Sequence, residues 1–164
     1  MIKIPDSLNK QFDNFKIKYS FIDSQRRYAN PGLFAAMLGS IAVYNKSITT
    51  TGSAFRWGSC FPSINHINGM SIDFTYKSYK GYKTVEINGK KIRERDYHPH
   101  TSQQYKDDEA FLNAMRLFFE KILVGKNVHF EEFRKLKGVA NGGGLHDGHF
   151  HAEFSLTKIK EIEE

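Results

Sequence analysis

The stretch Gly144-Leu145-His146-Asp147-Gly148-His149-Phe150-His151-Ala152-Glu153-Phe154 holds three of the seven histidines of the chain. On an extended strand alternate side chains share a face, so three polar side chains point one way and three apolar ones the other. The polar set is His149, His151 and Glu153, and the apolar set is Phe150, Ala152 and Phe154. The pattern predicts a strand that packs on a core and presents two imidazoles to one space, as a metal ion or a general base requires.

A second stretch, residues 63–76, supplies groups that can face these histidines. From Met70 onward apolar and polar residues alternate, which places Asp73 on the polar face of a predicted central strand. His66 lies in the loop that leads into this strand. An unpaired carboxylate among core strands is costly, so Asp73 is expected to have a partner.

Together the two blocks resemble the zinc signature shared by the lysostaphin, D-Ala-D-Ala metallopeptidase and hedgehog-type fold group. The signature is carried here by His66, by Asp73 after six intervening residues, and by His149-Phe150-His151. Within that group the chain is most similar to the penicillin-insensitive murein endopeptidases. That likeness covers about residues 52–76 and 144–154, and includes Arg56-Trp57-Gly58 and the run from His146 to His151.

The resemblance implies one zinc ion per chain and a role for each matched residue. Zinc ligands are expected to be His66, Asp73 and His151, and the catalytic residues to be His149, His146 and Arg56. In this assignment His149 is the general base, and His146 orients groups or stabilises the charged transition state. Arg56, together with Trp57, is expected to bind substrate; the alternative is a surface arginine stacked on Trp57.

By the same resemblance, the chain is expected to be a peptidoglycan endopeptidase that cuts peptide cross-links with a metal-activated water. Its partners would be the peptide stems of the wall, and an immunity or inhibitor protein is left open; nucleic acid is not expected as a partner. Such an enzyme would be a phage lysin or an antibacterial effector delivered by a secretion system. It would be made in the cytoplasm and act in the periplasm or cell wall.

Charge leaves two alternatives open. The net charge is +6, and residues 77–95 contribute seven basic and two acidic side chains, 7 − 2 = +5. This segment is either the solvated rim of a hairpin or a surface that attracts a polyanion. The alternative functions are therefore a basic, non-catalytic module that binds wall polymer or nucleic acid, and a metal-dependent nuclease.

Composition constrains the compartment and the kind of site. The N-terminal residues lack the continuous apolar core of a signal peptide, and nowhere do about 18 apolar residues run together. Delivery is therefore expected through a lysis pore, a secretion apparatus or a leader outside this sequence. The single Cys60 excludes an internal disulfide and a thiolate zinc cluster.

The predicted fold class is α+β, as one zinc peptidase-like domain over residues 1–164. A small antiparallel sheet of about four to six strands carries the metal site and is flanked by helices. Helices are predicted over residues 6–18, 33–44, 109–123 and 130–136. Asn88-Gly89 predicts a two-residue hairpin turn. His98 and His100, separated by Pro99, are assigned to a loop, and the alternative is that they line the cleft or bind a secondary metal ion.

Overall fold

A computed structural model of the chain describes residues 1–22, 25–57, 66 and 69–157. The strands in this part of the chain are β1 (Ile2–Lys3), β2 (Ser7–Gln11), β3 (Lys16–Phe21), β4 (Tyr28–Ala29), β5 (Ile48–Gly52), β6 (Ser71–Thr75), β7 (Tyr79–Ile87), β8 (Lys90–Tyr97), β9 (Phe119–Val124), β10 (Val139–Asn141) and β11 (His149–Ser155). The helices are α1 (Pro31–Tyr44), α2 (Gln103–Met115) and the single turn α3 (Glu131–Arg134). Helices and strands are thus mixed, as the predicted class requires.

Seven of these strands form one sheet in the order β10-β9-β11-β6-β5-β3-β2. The predicted small antiparallel sheet differs from it in size and in strand direction. The pairs β9/β11, β11/β6 and β6/β5 at the centre are antiparallel, whereas β10/β9 and β3/β5 towards the edges are parallel. The alternation of polar and apolar residues does not predict strand direction, so the two parallel pairs, β10/β9 and β3/β5, could not be foreseen from it.

The two strands predicted from polar and apolar alternation are neighbours at the centre of this sheet. Phe150 and Ala152 of β11 and Ile72 and Phe74 of β6 are fully buried in the core. In the register between the strands, His151 pairs with Asp73. Burial of the apolar faces therefore fixes both polar faces on the same side of the sheet.

The alternation ends at Phe154, which was predicted to lie on the apolar face. Its φ is 55°, a left-handed conformation, and its side chain is 46% exposed. The rotated backbone turns the ring away from the core, while the N–H of Phe154 donates to the carbonyl of Met70 at 3.1 Å. The strand thus keeps its pairing but loses its two-residue period at this point.

Helix α1 confirms the helix predicted over residues 33–44. The Asn30 side chain accepts a hydrogen bond from the N–H of Gly32, and Pro31 occupies the first turn. Asn45 ends the helix in a left-handed conformation, with φ 57°. Leu33, Met37 and Ile41 are buried against the sheet.

The helix predicted over residues 6–18 is wrong, because this segment forms the antiparallel strands β2 and β3. The helical spacing of Leu8, Phe12 and Phe15 has another cause. Phe12 and Phe15 stack on each other at the turn between the strands, with ring centroids 4.6 Å apart. Alternate residues of β3 contact the core, since Tyr19 is buried and Ile17 and Phe21 pack against it, so a local periodicity was overridden by tertiary pairing.

The helix predicted over residues 109–123 is correct only in its first half. Helix α2 begins earlier, because the Ser102 hydroxyl caps it by accepting from the N–H of Tyr105 at 3.2 Å. It ends at Met115, and the second half of the predicted helix becomes β9, which pairs with β11. Phe118 and Ile122 fit the helical stripe by spacing, but the β-branched and aromatic run that contains them is equally typical of a buried strand.

The predicted hairpin is confirmed, with Asn88 and Gly89 both at positive φ between β7 and β8. These two strands form a separate ribbon, which we call the basic arm (residues 79–97). The short helix α3 lies within the segment predicted as helical over residues 130–136. None of the helices in the described part of the chain is long and apolar enough to cross a membrane.

Candidate metal centre

Three buried side chains from separate parts of the chain meet on the polar side of the central strands. Asp73 on β6, His151 on β11 and His66 are each at most 5% exposed. Their ligand atoms all lie within 4.8 Å of one another. The group could hold a metal ion, and its members are the three ligands implied by the sequence.

Asp73 is the centre of this group, since both of its carboxylate oxygens are engaged by imidazoles. Oδ1 lies 2.7 Å from Nδ1 of His151, and Oδ2 lies 3.2 Å from Nε2 of His66. Burial alone would raise the pKa of Asp73, but the hydrogen bonds from His151 and His66 outweigh it and hold that pKa below its ordinary range. Asp73 is therefore a carboxylate at neutral pH.

The donor set fits zinc. Zinc prefers imidazole nitrogen and carboxylate oxygen, and catalytic zinc sites use three protein ligands with one position left for water or substrate. The nitrogens of His66 and His151 that face Asp73 are the ones that would bind such an ion. The other ring nitrogen of His66, Nδ1, is buried and has no hydrogen-bond partner among the residues described, so Nε2 is the nitrogen that is directed at the group.

His149 lies beside the His66-Asp73-His151 group but is more accessible than its members. Its Nε2 is 3.6 Å from Oδ1 of Asp73, and its side chain is 26% exposed. Burial lowers the pKa of His149 to about 4, although Asp73 opposes that shift. The imidazole is thus neutral near pH 7, the form that can accept a proton.

His146 completes a cluster of rings over the group. Its ring centroid is 5.1 Å from that of His149 and 5.2 Å from that of His151, and burial lowers its pKa. Nδ1 of His146 lies 2.5 Å from the carbonyl oxygen of Gly142. A Cβ at Gly142 would overlap the His146 ring, so the glycine permits the close approach that fixes this ring.

Asp147 secures the loop that carries His146 and His149. Its Oδ1 accepts a hydrogen bond from the N–H of Asn127 at 2.9 Å, and its Oδ2 lies 3.2 Å from Nη1 of Arg95 on the basic arm. Its carbonyl also accepts from the hydroxyl of Tyr97 at 2.9 Å. The arm is therefore attached at its base to the histidine run.

Two charged residues at the site have no counterpart in the assignment made from the sequence. Glu153 contacts His151, and its position was predictable because the two-residue period of β11 places it on the same face. Arg26 has its Nη2 3.6 Å from Oδ2 of Asp73. No pattern in the sequence connects Arg26 to a strand 47 residues later, because that contact depends on the packing of the whole sheet.

Arg56 and Trp57 are exposed and follow β5. The guanidinium of Arg56 lies 4.9 Å from the centre of the Trp57 ring, and Trp57 is 83% exposed. This is the stacked surface arrangement that sequence analysis gave as the alternative for Arg56. Gly58 and Cys60 lie outside the described residues.

The second histidine pair, His98 and His100, lies in the loop between β8 and α2, as predicted. The ring of His100 packs 4.5 Å from Tyr105 and 4.6 Å from His129. His98 donates its backbone N–H to the carbonyl of Ser78 at 2.7 Å. The structure thus gathers His66, Asp73, His146, His149 and His151 into one site.

Comparisons of the chain with known protein families, with curated proteins and with solved structures give no match.

Proposed function

We propose that the protein is a zinc-dependent peptidoglycan endopeptidase that cuts peptide cross-links of the bacterial cell wall. The observation that carries the proposal is the buried His66-Asp73-His151 group with the more accessible His149 beside it. All four residues lie within the two sequence blocks, 52–76 and 144–154, that resemble the murein endopeptidases. Agreement between motif and geometry supports a catalytic site in preference to a purely structural one.

In this proposal His66, Asp73 and His151 hold the ion. When bound, zinc supplies a Lewis acid that polarises the scissile carbonyl and makes water a better nucleophile at neutral pH. Three protein ligands leave room for water or substrate, which a closed structural site would not.

The remaining side chains handle protons and charge. His149 accepts the proton of the attacking water and returns it to the leaving amine, a role that suits its partial exposure. His146, packed against His149 and His151, orients the rings and faces the developing negative charge. Arg26 and Arg56 are the candidate cations for the oxyanion or a stem carboxylate; position favours Arg26, and the sequence resemblance favours Arg56.

The decisive experiment is a digest of purified peptidoglycan, with the products identified by mass spectrometry. Zinc-loaded protein should release cross-linked stems as monomers, and Asp73→Ala should release none, because it removes the shared carboxylate of the group. Metal analysis should find about one zinc per chain in the wild type and none in Asp73→Ala. An unchanged muropeptide profile with zinc-loaded wild type would refute the proposal.

A metal-dependent nuclease is the second candidate, and the positive charge of residues 77–95 favours it. Incubation of the zinc-loaded protein with plasmid DNA and with total RNA separates the two. Cleavage of nucleic acid without release of muropeptides would replace the peptidase assignment by a nuclease. Toxicity that depends on export to the periplasm would support the peptidase.

A further inference from the structure

Glu153 is a buried carboxylate that the proposed mechanism does not use. It is 5% exposed, and both of its oxygens are engaged. Oε1 lies 3.0 Å from Nε2 of His151, and Oε2 lies 2.9 Å from Nζ of Lys121. A buried carboxylate is costly unless it is paired, and the partners of Glu153 are Lys121 and a histidine of the candidate metal group.

We propose that Glu153 is the positioning residue of the metal centre, which holds His151 in the tautomer and ring orientation that presents Nδ1 to zinc. This inference rests on the zinc site of the proposed function. A neutral imidazole carries one ring hydrogen, so a metal on Nδ1 leaves that hydrogen on Nε2. Nε2 is the nitrogen that faces Oε1 of Glu153.

Lys121 fixes Glu153 in turn. The two residues are direct partners in the register of β11 with β9, just as His151 and Asp73 are partners in the register of β11 with β6. A line of contacts therefore crosses three adjacent strands, from Lys121 through Glu153 and His151 to Asp73. Because Lys121 holds the second oxygen, Glu153 cannot rotate freely, and the His151 ring is held at both nitrogens.

The test is the zinc affinity of the metal-free protein, measured by competition with a chromophoric chelator. Glu153→Gln preserves size but removes the charge, and it should weaken zinc binding by about 10- to 100-fold, as loss of such partners does at other metal sites. Glu120→Gln is the matched control: Glu120 is an exposed carboxylate on the same neighbouring strand as Lys121, and its loss should leave the affinity unchanged. Equal affinity of Glu153→Gln and wild type would overturn the inference.

Lys121→Met provides a second variant that keeps Glu153 itself. It should also weaken zinc binding, by a smaller factor than Glu153→Gln. If circular dichroism shows that Glu153→Gln does not fold, the zinc affinity of Lys121→Met tests the inference in its place. X-ray absorption spectra of zinc-loaded protein separate positioning from ligation. The number of oxygen and nitrogen ligands should be equal in wild type and Glu153→Gln, and loss of one would make Glu153 a ligand instead.

These measurements use zinc alone, so they do not depend on the substrate. Zinc binding that weakens in Glu153→Gln, combined with no muropeptide release by wild type, would refute the peptidase and leave the positioning role intact. Absence of zinc binding by wild type would overturn both.

Discussion

At the scale of single residues, Asp73 is the side chain that the other charged and titratable groups of the site surround. It contacts His151, His66, His149 and Arg26 within 3.6 Å. Its removal would leave imidazoles and a guanidinium facing one another without a counter-charge. The roles proposed for the residues around Asp73 can be distinguished experimentally, because substitution of each residue should change zinc content and turnover differently.

His149→Ala should retain zinc and lose turnover. In the proposed mechanism the His149 ring is the proton acceptor and does not belong to the His66-Asp73-His151 group, so an ion held by that group would keep its donors. We expect a loss of about 100-fold or more in kcat with unchanged zinc content, measured on a soluble cross-linked muropeptide. Loss of zinc on this substitution would instead make His149 a ligand.

The two candidate arginines should differ in the kinetic parameter that they change. Arg26 lies beside Asp73, so Arg26→Lys should lower kcat, because an ammonium lacks the planar fork of the guanidinium. Arg56 is exposed and stacked on Trp57, so Arg56→Lys should raise KM and leave kcat close to wild type. A fall in kcat for Arg56→Lys alone would transfer the oxyanion role to Arg56.

At the scale of secondary structure elements, strands β6 and β11 were the most predictable part of the molecule. Their alternation is local, and it correctly placed Asp73 on one strand and His149 and His151 on one face of another. The register that brings His151 opposite Asp73 was not predictable, because it depends on pairing across 78 residues. Arg26 could not be found for the same reason.

The failures at residues 6–18 and 109–123 have a common cause. In both segments apolar residues occur at spacings that satisfy a helix and a buried strand alike. The choice was made by partners elsewhere: β5 pairs with β3, and β11 pairs with β9. Capping did not settle the choice either: the caps of α1 and α2 are Asn30 and Ser102, whereas Ser7 lies in strand β2 and Asp108 lies within α2.

Two buried titratable side chains, Asp108 of helix α2 and His129, contact Ser78 at the base of the basic arm. His129 Nε2 lies 3.2 Å from the Ser78 hydroxyl, and the carboxylate of Asp108 accepts the N–H of Ser78 at 2.8 Å. Burial lowers the pKa of His129 to about 4, with His100 adding to the shift, and burial raises the pKa of Asp108 to about 6. The two groups therefore affect stability in opposite directions over nearly the same range of pH.

The sign of each effect follows from proton binding. Between pH 6.5 and about 4 the unfolded chain protonates His129 and the folded chain does not, so stability is lost as pH falls through that window. Between about 6 and 3.8 the folded chain protonates Asp108 and the unfolded chain does not, so stability is lost as pH rises. In wild type these two effects largely cancel.

Asp108→Asn should therefore expose the His129 effect. From pH 6.5 to 4.5 its free energy of unfolding should fall more steeply than that of wild type, by an amount on the order of 2 kcal/mol. His129→Phe should show the reverse, a shallower fall or a gain. Urea denaturation at several pH values measures both, and parallel pH profiles for the two variants would contradict the pKa directions.

At the scale of the whole molecule, the sequence predicted a positively charged segment at residues 77–95, and the fold shows where on the basic arm that charge lies. Lys80, Lys83 and Arg95 are paired with carboxylates. Lys90, Lys91 and Arg93, near the turn, form no ion pair with a carboxylate among the residues that the structure describes. The unbalanced charge is therefore at the end of the arm, away from its attachment to Asp147.

Removal of that charge should weaken binding to peptidoglycan and reduce its salt dependence. The triple variant Lys90→Gln, Lys91→Gln, Arg93→Gln should bind sacculi less tightly at low salt, because exposed charges act over about 10 Å at 0.1 M ionic strength. A matched triple variant at the exposed lysines Lys3, Lys10 and Lys18 serves as control. Cosedimentation over a range of salt measures both, and equal losses in the two variants would assign the effect to net charge alone.

The pairing of Asp73 with His151 has a consequence for synthesis of the protein. Residues 66 and 73 leave the ribosome long before residues 149 and 151, and the two halves of the site become neighbours only when β11 inserts between β6 and β9. A nascent chain that stops before His151 has two of the three residues of the group and lacks most of strand β11, which carries the third. The His66-Asp73-His151 group is therefore incomplete throughout most of translation, and a product truncated before His151 cannot assemble it.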